Sequence, residues 1–390
     1  MQPLDPQKHV VGILAGAGEY PRLMLEGAKR AGFRVVVAGF RGAVGKDIPP
    51  LCDAFRKFRV GAVEGPRDFF LQHGVTHVVM AGQIKPACIY TMWPDATARR
   101  LLAQLDRRNA HTIFGAACDY VSANGMQMLP STAFMDEVLP GEEHLAGPQL
   151  SPQQLADARH GMCLAREIAR LDIGQSLIIR GAEVTCVEAY KGTNECINSG
   201  SGRADAPVTL CKVTKPGHDM RFDVPCIGLR TIYHCIRCHI KSIVFEAHRT
   251  ILFQKQAVMD LCNKHGITLQ GMNMPTEGTV VPPIEHAAND ASHARALAEA
   301  LEQLGIGHSA VVCDGVVIAV EDPEGPLKCI ARAGAYMKRI RFARFANWLC
   351  GLLLRRKGSA PAPMLMVGTA AFERTPVVEK AAKKAGIHLL

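Results

Sequence analysis

The densest group of chemically capable side chains lies at residues 215–225, directly after a strand predicted at 208–213. Carboxylates can bind a hard cation or take a proton from water, while cationic side chains neutralise phosphoryl oxygens. Gly217 and Pro225 favour an irregular loop over a helix. The segment is therefore a candidate for phosphoanhydride hydrolysis, and the alternative is a solvated charged loop. Its charged members are Lys215, His218, Asp219, Arg221 and Asp223.

A second candidate is the glycine-containing turn at residues 16–19. It follows an apolar run at 10–15 and precedes a helical pattern at 21–31. Such a turn lets the backbone approach an anion, and the helix N-terminus offers free N–H groups. Pro21 replaces the third glycine of a dinucleotide fingerprint, and the second strand ends in 39–41 without the acid that binds NAD ribose. We expect a phosphate-bearing ligand other than NAD, with a simple tight turn as the alternative.

The chain has fourteen cysteines among its 390 residues, and they are scattered along predicted strands and helices. Cys235 and Cys238 form a C-x-x-C pair flanked by two histidines, which allows a zinc interpretation. A single pair without a second one is a weak metal signal, so structural thiols are the favoured interpretation. The cysteine usage is typical of a reducing compartment.

Strands that alternate with helices predict an α/β fold. We predict a Rossmann-like N-terminal domain over residues 1–145 and a mixed α/β catalytic domain over 146–272. Residues 284–390 are predicted to form a third domain, a degenerate C-terminal repeat of the second.

The repeat is found by comparing the chain with itself at a shift of 133 residues. Residues 171–197 then coincide at ten positions with residues 304–330, including Gly174 with Gly307 and Glu188 with Glu321. The stretch that corresponds to the charged loop in the predicted repeat is residues 366–376, which have lost the Lys, His and Asp cluster. A copy released from catalysis would lose such groups first.

The net charge of +9 is concentrated near the C-terminus. Residues 331–390 contain twelve Lys or Arg and two acids, so the preceding residues sum to about −1. Residues 336–357 form a basic amphipathic pattern that suits an anionic inner-leaflet membrane surface, or equally a core helix with snorkelling cations. There is no recognisable nucleic-acid module, and we expect no nucleic-acid partner.

The N-terminus shows no secretory signal, and no run of about 18 apolar residues is present. We expect a cytoplasmic protein, with peripheral contact at the inner membrane as the alternative location.

Five ordered motifs between residues 9 and 272 resemble the UDP-2,3-diacylglucosamine pyrophosphatases of lipid A biosynthesis (the LpxI type). The resemblance implies metal-dependent hydrolysis of UDP-2,3-diacylglucosamine to UMP and 2,3-diacylglucosamine 1-phosphate, with Mg²⁺ or Mn²⁺ as cofactor. It also implies a nucleotide-linked diacylated sugar bound between the first two domains, and a homodimer. The motifs are Gly16-Ala17-Gly18-Glu19-Tyr20-Pro21, residues 78–85, Asp172-Ile173-Gly174-Gln175-Ser176, Gly192-Thr193 and residues 215–225.

The resemblance also implies roles for individual residues. The catalytic group is Asp223, Asp219, Lys215 and Arg221, with Asp223 and Asp219 as metal ligands. The substrate-binding group is Gly16, Gly18, Glu19, Gly82, Lys85, Gln175, Gly192, Thr193 and Asn194.

Two positions depart from the family pattern. Asn194 stands where the family has an aspartate, and residues 108–110 replace an acidic turn. An amide oxygen can still bind a hard cation, but the loss of charge weakens the site. The alternative is therefore a non-catalytic nucleotide-sugar-binding or regulatory protein on the same scaffold.

Overall fold

The computed structural model describes residues 4–84, 94–105, 110–200, 207–217, 219–222, 224–275, 281, 289–313, 315–335, 364–370, 372 and 374–390. The chain forms two compact units. The N-terminal unit comprises residues 1–137 and 218–224, and the C-terminal unit comprises residues 138–217 and 225–390. Within the described ranges, no helix is both long and apolar enough to cross a membrane.

The N-terminal unit alternates strands and helices, as predicted. Its strands form one parallel sheet in the order β3-β2-β1-β4-β5. The strand order switches between β1 and β4, because β2 and β3 extend the sheet on one side of β1 and β4 and β5 extend it on the other. Open α/β sheets commonly bind ligands at such a switch point. The elements are β1 (Val10–Ala15), α1 (Tyr20–Arg30), β2 (Arg34–Phe40), β3 (Ala54–Phe58), α2 (Glu64–Gln72), β4 (His77–Ala81), α3 (Ala96–Ala103), α4 (Ala110–Ala123) and β5 (Gln127–Met128).

The adjacent strands β1 and β2 contain long apolar runs. Val11–Ala15 of β1 and Val35–Phe40 of β2 are buried without alternation. This pattern is typical of a parallel strand that is covered on both faces. Phe69 and Phe70 of α2 belong to the same core as Val36 and Val78.

The C-terminal unit contains two larger sheets, in the orders β6-β13-β11-β9-β7-β8 and β15-β14-β16-β17. The elements of the first part are β6 (His144–Ala146), α5 (Pro152–Arg170), β7 (Ser176–Arg180), β8 (Glu183–Val187), α6 (Thr193–Ser199), β9 (Val208–Lys212), β10 (Cys226–Ile227), α7 (Leu229–Arg237), β11 (Ile240–Glu246), β12 (Ile251–Leu252), α8 (Lys255–His265) and β13 (Thr268–Met272). Those of the second part are α9 (Asp290–Gln303), β14 (Ser309–Cys313), β15 (Val316–Val320), α10 (residues 326–335), β16 (Met364–Gly368), α11 (Pro376–Ala385) and β17 (Ile387–Leu389).

The β7–β8 and β14–β15 hairpins have the same register at a shift of 133 residues. Leu177 pairs with Val187 as Ala310 pairs with Val320, and each hairpin has its irregularity one residue later. The preceding helix contacts each hairpin turn in the same way. Asp157 accepts hydrogen bonds from the backbone N–H groups of residues 181 and 182, and Asp290 accepts one from residue 315.

The strand register corrects the predicted counterpart of the charged loop. Ser176 pairs with Lys212 in β9, and Ser309 pairs with Gly368 in β16. Lys212 therefore corresponds to Gly368, so position 215 corresponds to 371 rather than to 366. The predicted alignment starting at 366 is five residues out of step with this strand register, because the segment between hairpin and third strand differs in length and the sequence alone does not set the shift.

One hydrophobic core runs through both parts of the C-terminal unit. It includes Ala158 and Met162 of α5 together with Leu297 and Leu301 of α9, and strand residues from both hairpins. The residues on either side of the predicted boundary at 272–284 thus share a core. Whether they are separate domains stays a prediction.

Candidate functional site

In the N-terminal unit, the glycine turn after β1 and the segment after β4 lie against each other. The Gly16 N–H donates to Ala81 O at 2.8 Å, and Ala17 and Gln83 exchange backbone hydrogen bonds of 2.8 and 2.9 Å. A methyl group on Gly16 would lie 2.7 Å from Gln83 O, and one on Gly82 would lie 2.7 Å from Ala17 O. Both predicted site glycines therefore permit a close backbone approach at the carboxyl edge of the sheet.

Gly18, also a predicted site residue, has different surroundings. Its φ is +94°, and a Cβ there would meet no atom within 4 Å. Glu19 follows it as the N-cap of α1. This face of the turn is open, which suits the predicted approach of an anion to the start of α1.

Residues 219–222 pack within the N-terminal unit, where Ser131 holds them. The Ser131 N–H donates to Met220 O at 2.6 Å, and its hydroxyl lies 2.7 Å from Arg221 O and from Met80 O. The Tyr20 hydroxyl donates to Ser131 O. The charged loop is thus tied to the end of β4 and the start of α1. Sequence reasoning missed Ser131, because these contacts join distant segments.

Arg221 is the centre of an ion-pair group. Its Nε and Nη2 donate to both oxygens of Asp219 at 2.5–3.0 Å, and Nη1 donates to Asp119 Oδ1 at 2.9 Å. The hydrogen bond to Asp219 is the main cause of a raised Arg221 pKa. The Arg221 side chain is 29% exposed, so a permanent cation remains accessible at this edge. Asp119 was not foreseen from the sequence.

The structure does not test the predicted metal site. Asp223, His218 and Lys85 lie outside the described residues, as do the segment 336–357 and residues 108–109 of the departing turn. Across the described part of the chain, no group of three or more His, Cys, Asp or Glu side chains could hold a metal ion. Asp219 already faces the guanidinium of Arg221 with both oxygens.

In the C-terminal unit, Thr193 belongs to a buried polar cluster. The Thr193 hydroxyl donates to Glu188 Oε2 at 3.0 Å, and Lys212 Nζ donates to Thr193 Oγ1 at 2.8 Å and to Ser176 Oγ at 3.1 Å. Lys212 Nζ and Glu188 Oε2 are 4.0 Å apart, and the two side chains are 6% and 13% exposed. The sequence indicated Thr193 but missed Lys212.

Strand pairing explains how this cluster forms. Ser176 begins β7 and pairs with Lys212 at the end of β9. The Glu188 N–H donates to Ser176 O at 2.9 Å. Glu188, the residue after β8, is therefore held next to Ser176 and Lys212. Gly192, with φ +81°, then caps α6 and brings Thr193 into its first turn.

The remaining predicted residues of this unit lie on neighbouring segments. Lys215 Nζ is 2.5 Å from Asp172 Oδ1, so its charge is balanced within the unit. Gln175 O accepts a hydrogen bond from the Val213 N–H at 2.9 Å. Asn194 lies in the first turn of α6 and is half-buried.

Cys235 lies on the buried side of α7, and Cys238 caps the C-terminal end of this helix and is also buried. Burial raises the pKa of both the Cys235 and the Cys238 thiols, which favours the neutral form over a metal-binding thiolate. His234 Nδ1 lies 3.0 Å from Asn198 Oδ1. These surroundings support the structural interpretation of the thiols.

Comparison with known proteins matches both units to one family. The LpxI N-terminal domain model matches residues 10–138, and the LpxI C-terminal domain model matches residues 141–270 and 277–347. UDP-2,3-diacylglucosamine pyrophosphatase LpxI of Caulobacter vibrioides is 26% identical over 276 residues, which cover 67% of this chain and 97% of that protein.

Among solved structures, an L-amino acid ligase from Bacillus licheniformis matches with 12% identity and a TM-score of 0.20. The match covers 47% of this chain and 40% of the ligase. That likeness is too slight to support an argument. The fold and the domain matches define an α/β protein with an N-terminal and a C-terminal LpxI domain. The chain belongs to the LpxI family.

Proposed function

We propose that this chain hydrolyses the pyrophosphate bond of UDP-2,3-diacylglucosamine in lipid A biosynthesis. Water adds across the P–O–P link, and the products are UMP and 2,3-diacylglucosamine 1-phosphate. The observation that carries the proposal is the match over 97% of the length of a relative with the printed name of this pyrophosphatase. Family membership makes a phosphoanhydride hydrolase the expected class of enzyme.

The described side chains provide a cationic hydrogen-bond donor for the diphosphate. Arg221 offers a partly exposed guanidinium whose direction is fixed by Asp219 and Asp119. A preorganised cation of this kind stabilises the charge that develops on phosphoryl oxygens. The open face above Gly18 provides a further place for a phosphate oxygen.

We propose Asp223 as the carboxylate that activates water or holds a divalent cation, Mg²⁺ or Mn²⁺. A magnesium ion commonly needs only one or two protein carboxylates, because substrate phosphates and water complete its shell. Such a cation would polarise the phosphoryl group. Asp219 fits this role less well than Asp223, since Arg221 contacts both of its carboxylate oxygens.

We also propose that residues 284–390 are a second, non-catalytic copy of the C-terminal domain. The equal hairpin registers and the equivalent contacts of Asp157 and Asp290 support a duplication. The second copy has Gly368 in place of Lys212. A copy without this cation has lost part of the polar cluster, which supports a structural task for it.

The test is UMP release from UDP-2,3-diacylglucosamine by the purified chain, with Mg²⁺, with Mn²⁺ and with EDTA. We expect turnover that EDTA abolishes and that Asp223→Ala lowers by about 10³-fold or more, the scale of a lost catalytic group. Asp260→Asn changes an exposed carboxylate on α8 and should leave the rate unchanged.

The control outcomes separate the alternatives. Turnover that persists in EDTA would contradict metal dependence but not the reaction. A folded wild-type chain that binds the nucleotide sugar without releasing UMP under any metal would instead support the non-catalytic binding protein. Asn194→Asp would then test whether the missing carboxylate is the reason.

A further inference from the structure

Lys212 is a buried cation that the family resemblance does not assign. The Lys212 ammonium nitrogen lies 4.0 Å from Glu188 Oε2, which is a long ion pair. It donates its hydrogen bonds to the hydroxyls of Thr193 and Ser176. Burying a charge is costly unless it is paired and hydrogen-bonded. A neutral apolar residue at the end of β9 would avoid that cost, so the cation requires a reason.

The second copy shows that the fold does not require Lys212. There Ser309 donates to Glu321 Oε2 at 2.5 Å, and the Glu321 N–H donates back to Ser309 O at 2.9 Å. Ser176 and Glu188 thus have preserved counterparts. The counterpart of Lys212 is Gly368 by strand register, and the counterpart of Thr193 is Pro326 at the shift of 133.

The two groups absent from the second copy are those that contact each other in the first. Lys212 donates to the Thr193 hydroxyl, which in turn donates to Glu188. The hydroxyl is therefore fixed in direction by a donor on one side and an acceptor on the other. Thr193 opens α6 directly after Gly192, so the same contacts fix the turn that leads into this helix.

We propose that Lys212 is a positioning residue for diphosphate binding, acting through Thr193 and the turn 192–194. This rests on the proposed function, because the turn is expected to bind substrate only from the resemblance to the pyrophosphatase family. Lys212 holds the Thr193 hydroxyl and the turn in their binding arrangement. The class of ligand is a nucleoside diphosphate linked to a sugar.

The experiment compares Lys212→Met with Thr193→Val and Thr193→Ser in UMP release from UDP-2,3-diacylglucosamine. We expect the first two variants to raise KM about 10- to 100-fold with little change in kcat, which is the scale of one charge-assisted hydrogen bond. A rise in KM alone indicates lost ground-state binding. Thr193→Ser keeps the hydroxyl and should retain the wild-type KM.

Ser309→Ala is a control, because it removes the hydroxyl equivalent to that of Ser176 from the copy that lacks the cation. It should leave KM and kcat unchanged. Thermal melting of each variant separates a loss of folded protein from a loss of binding, since unfolding lowers the active fraction without changing KM.

The outcomes are distinguishable from those of the proposed function. Wild-type turnover with an unchanged KM in Lys212→Met and Thr193→Val would overturn the positioning role and leave the hydrolase intact. A lower melting temperature with unchanged KM would overturn it as well, since Lys212 would then only stabilise the fold. A folded wild-type chain that neither binds nor hydrolyses UDP-2,3-diacylglucosamine would overturn both proposals.

Discussion

Replacing Gly82 by alanine should damage the N-terminal unit more than the same change at Gly18. Both glycines have nearly the same backbone conformation, with φ of +91° and +94°. They differ in their surroundings. A methyl group at Gly82 would lie 2.7 Å from Ala17 O and 2.8 Å from Pro21 Cγ, whereas one at Gly18 would meet nothing within 4 Å.

The two substitutions therefore separate two energetic terms. At Gly18 the cost is the positive φ of an L-residue, about 1–2 kcal/mol. At Gly82 that cost is joined by the overlap with the opposing turn, which adds about 1–3 kcal/mol for an overpacked site. We expect Gly82→Ala to lower the free energy of unfolding by about 2–5 kcal/mol, and Gly18→Ala by about 1–2 kcal/mol.

Urea unfolding followed by circular dichroism measures both variants through their midpoints and slopes. A slope equal to that of the wild type would show that the difference lies in stability and not in the compactness of the unfolded state. If Gly18→Ala is as damaging as Gly82→Ala, the close approach of the two turns is not what requires Gly82.

Two further predictions concern stability. Ala182 has a φ of +68° in the β7–β8 turn, where the turn of the β14–β15 hairpin has Gly315 at +73°. Ala182→Gly should stabilise the chain by about 0.5–1 kcal/mol in urea unfolding, because the relieved strain exceeds the entropic cost of glycine; a destabilised variant would contradict the strain. Burial, and secondarily the ring of His9, lowers the pKa of His77. The unfolded state then binds more protons than the folded state. The contribution of the neutral His77 ring to stability is therefore full above about pH 6.5 and is lost as the pH falls toward the folded-state pKa. His77→Gln should reduce the loss of stability between about pH 7.5 and pH 5, and an unchanged loss would exclude His77 as its source.

Sequence reasoning predicted the elements whose apolar or glycine pattern lies within one short stretch of the chain. The apolar runs of β1 and β2 and the glycine turn between β1 and α1 needed only neighbouring residues. The alternation of strands and helices was enough for the α/β class, which the structure confirms.

The contacts that build the polar clusters could not be predicted in the same way. Ser131 meets Arg221 across 90 residues, and Lys212 meets Ser176 across 36. Such pairs depend on strand register and loop docking, which the sequence does not show locally. The misplaced counterpart of the charged loop has the same origin, because a loop of different length changes the alignment while the strands keep their pairing.

Under the proposed duplication, the shared core of the C-terminal unit has a consequence for how the two copies evolve. In an assembly of identical chains, each substitution appears in every subunit and must be tolerated at every equivalent place. Here the two copies are encoded separately, and they already differ in sign at one ion pair: Lys191 with Glu195 in the first, Glu324 with Lys328 in the second. Their pairing is also independent of protein concentration, because both belong to one polypeptide. Mutation can therefore specialise one copy while the other keeps its sequence.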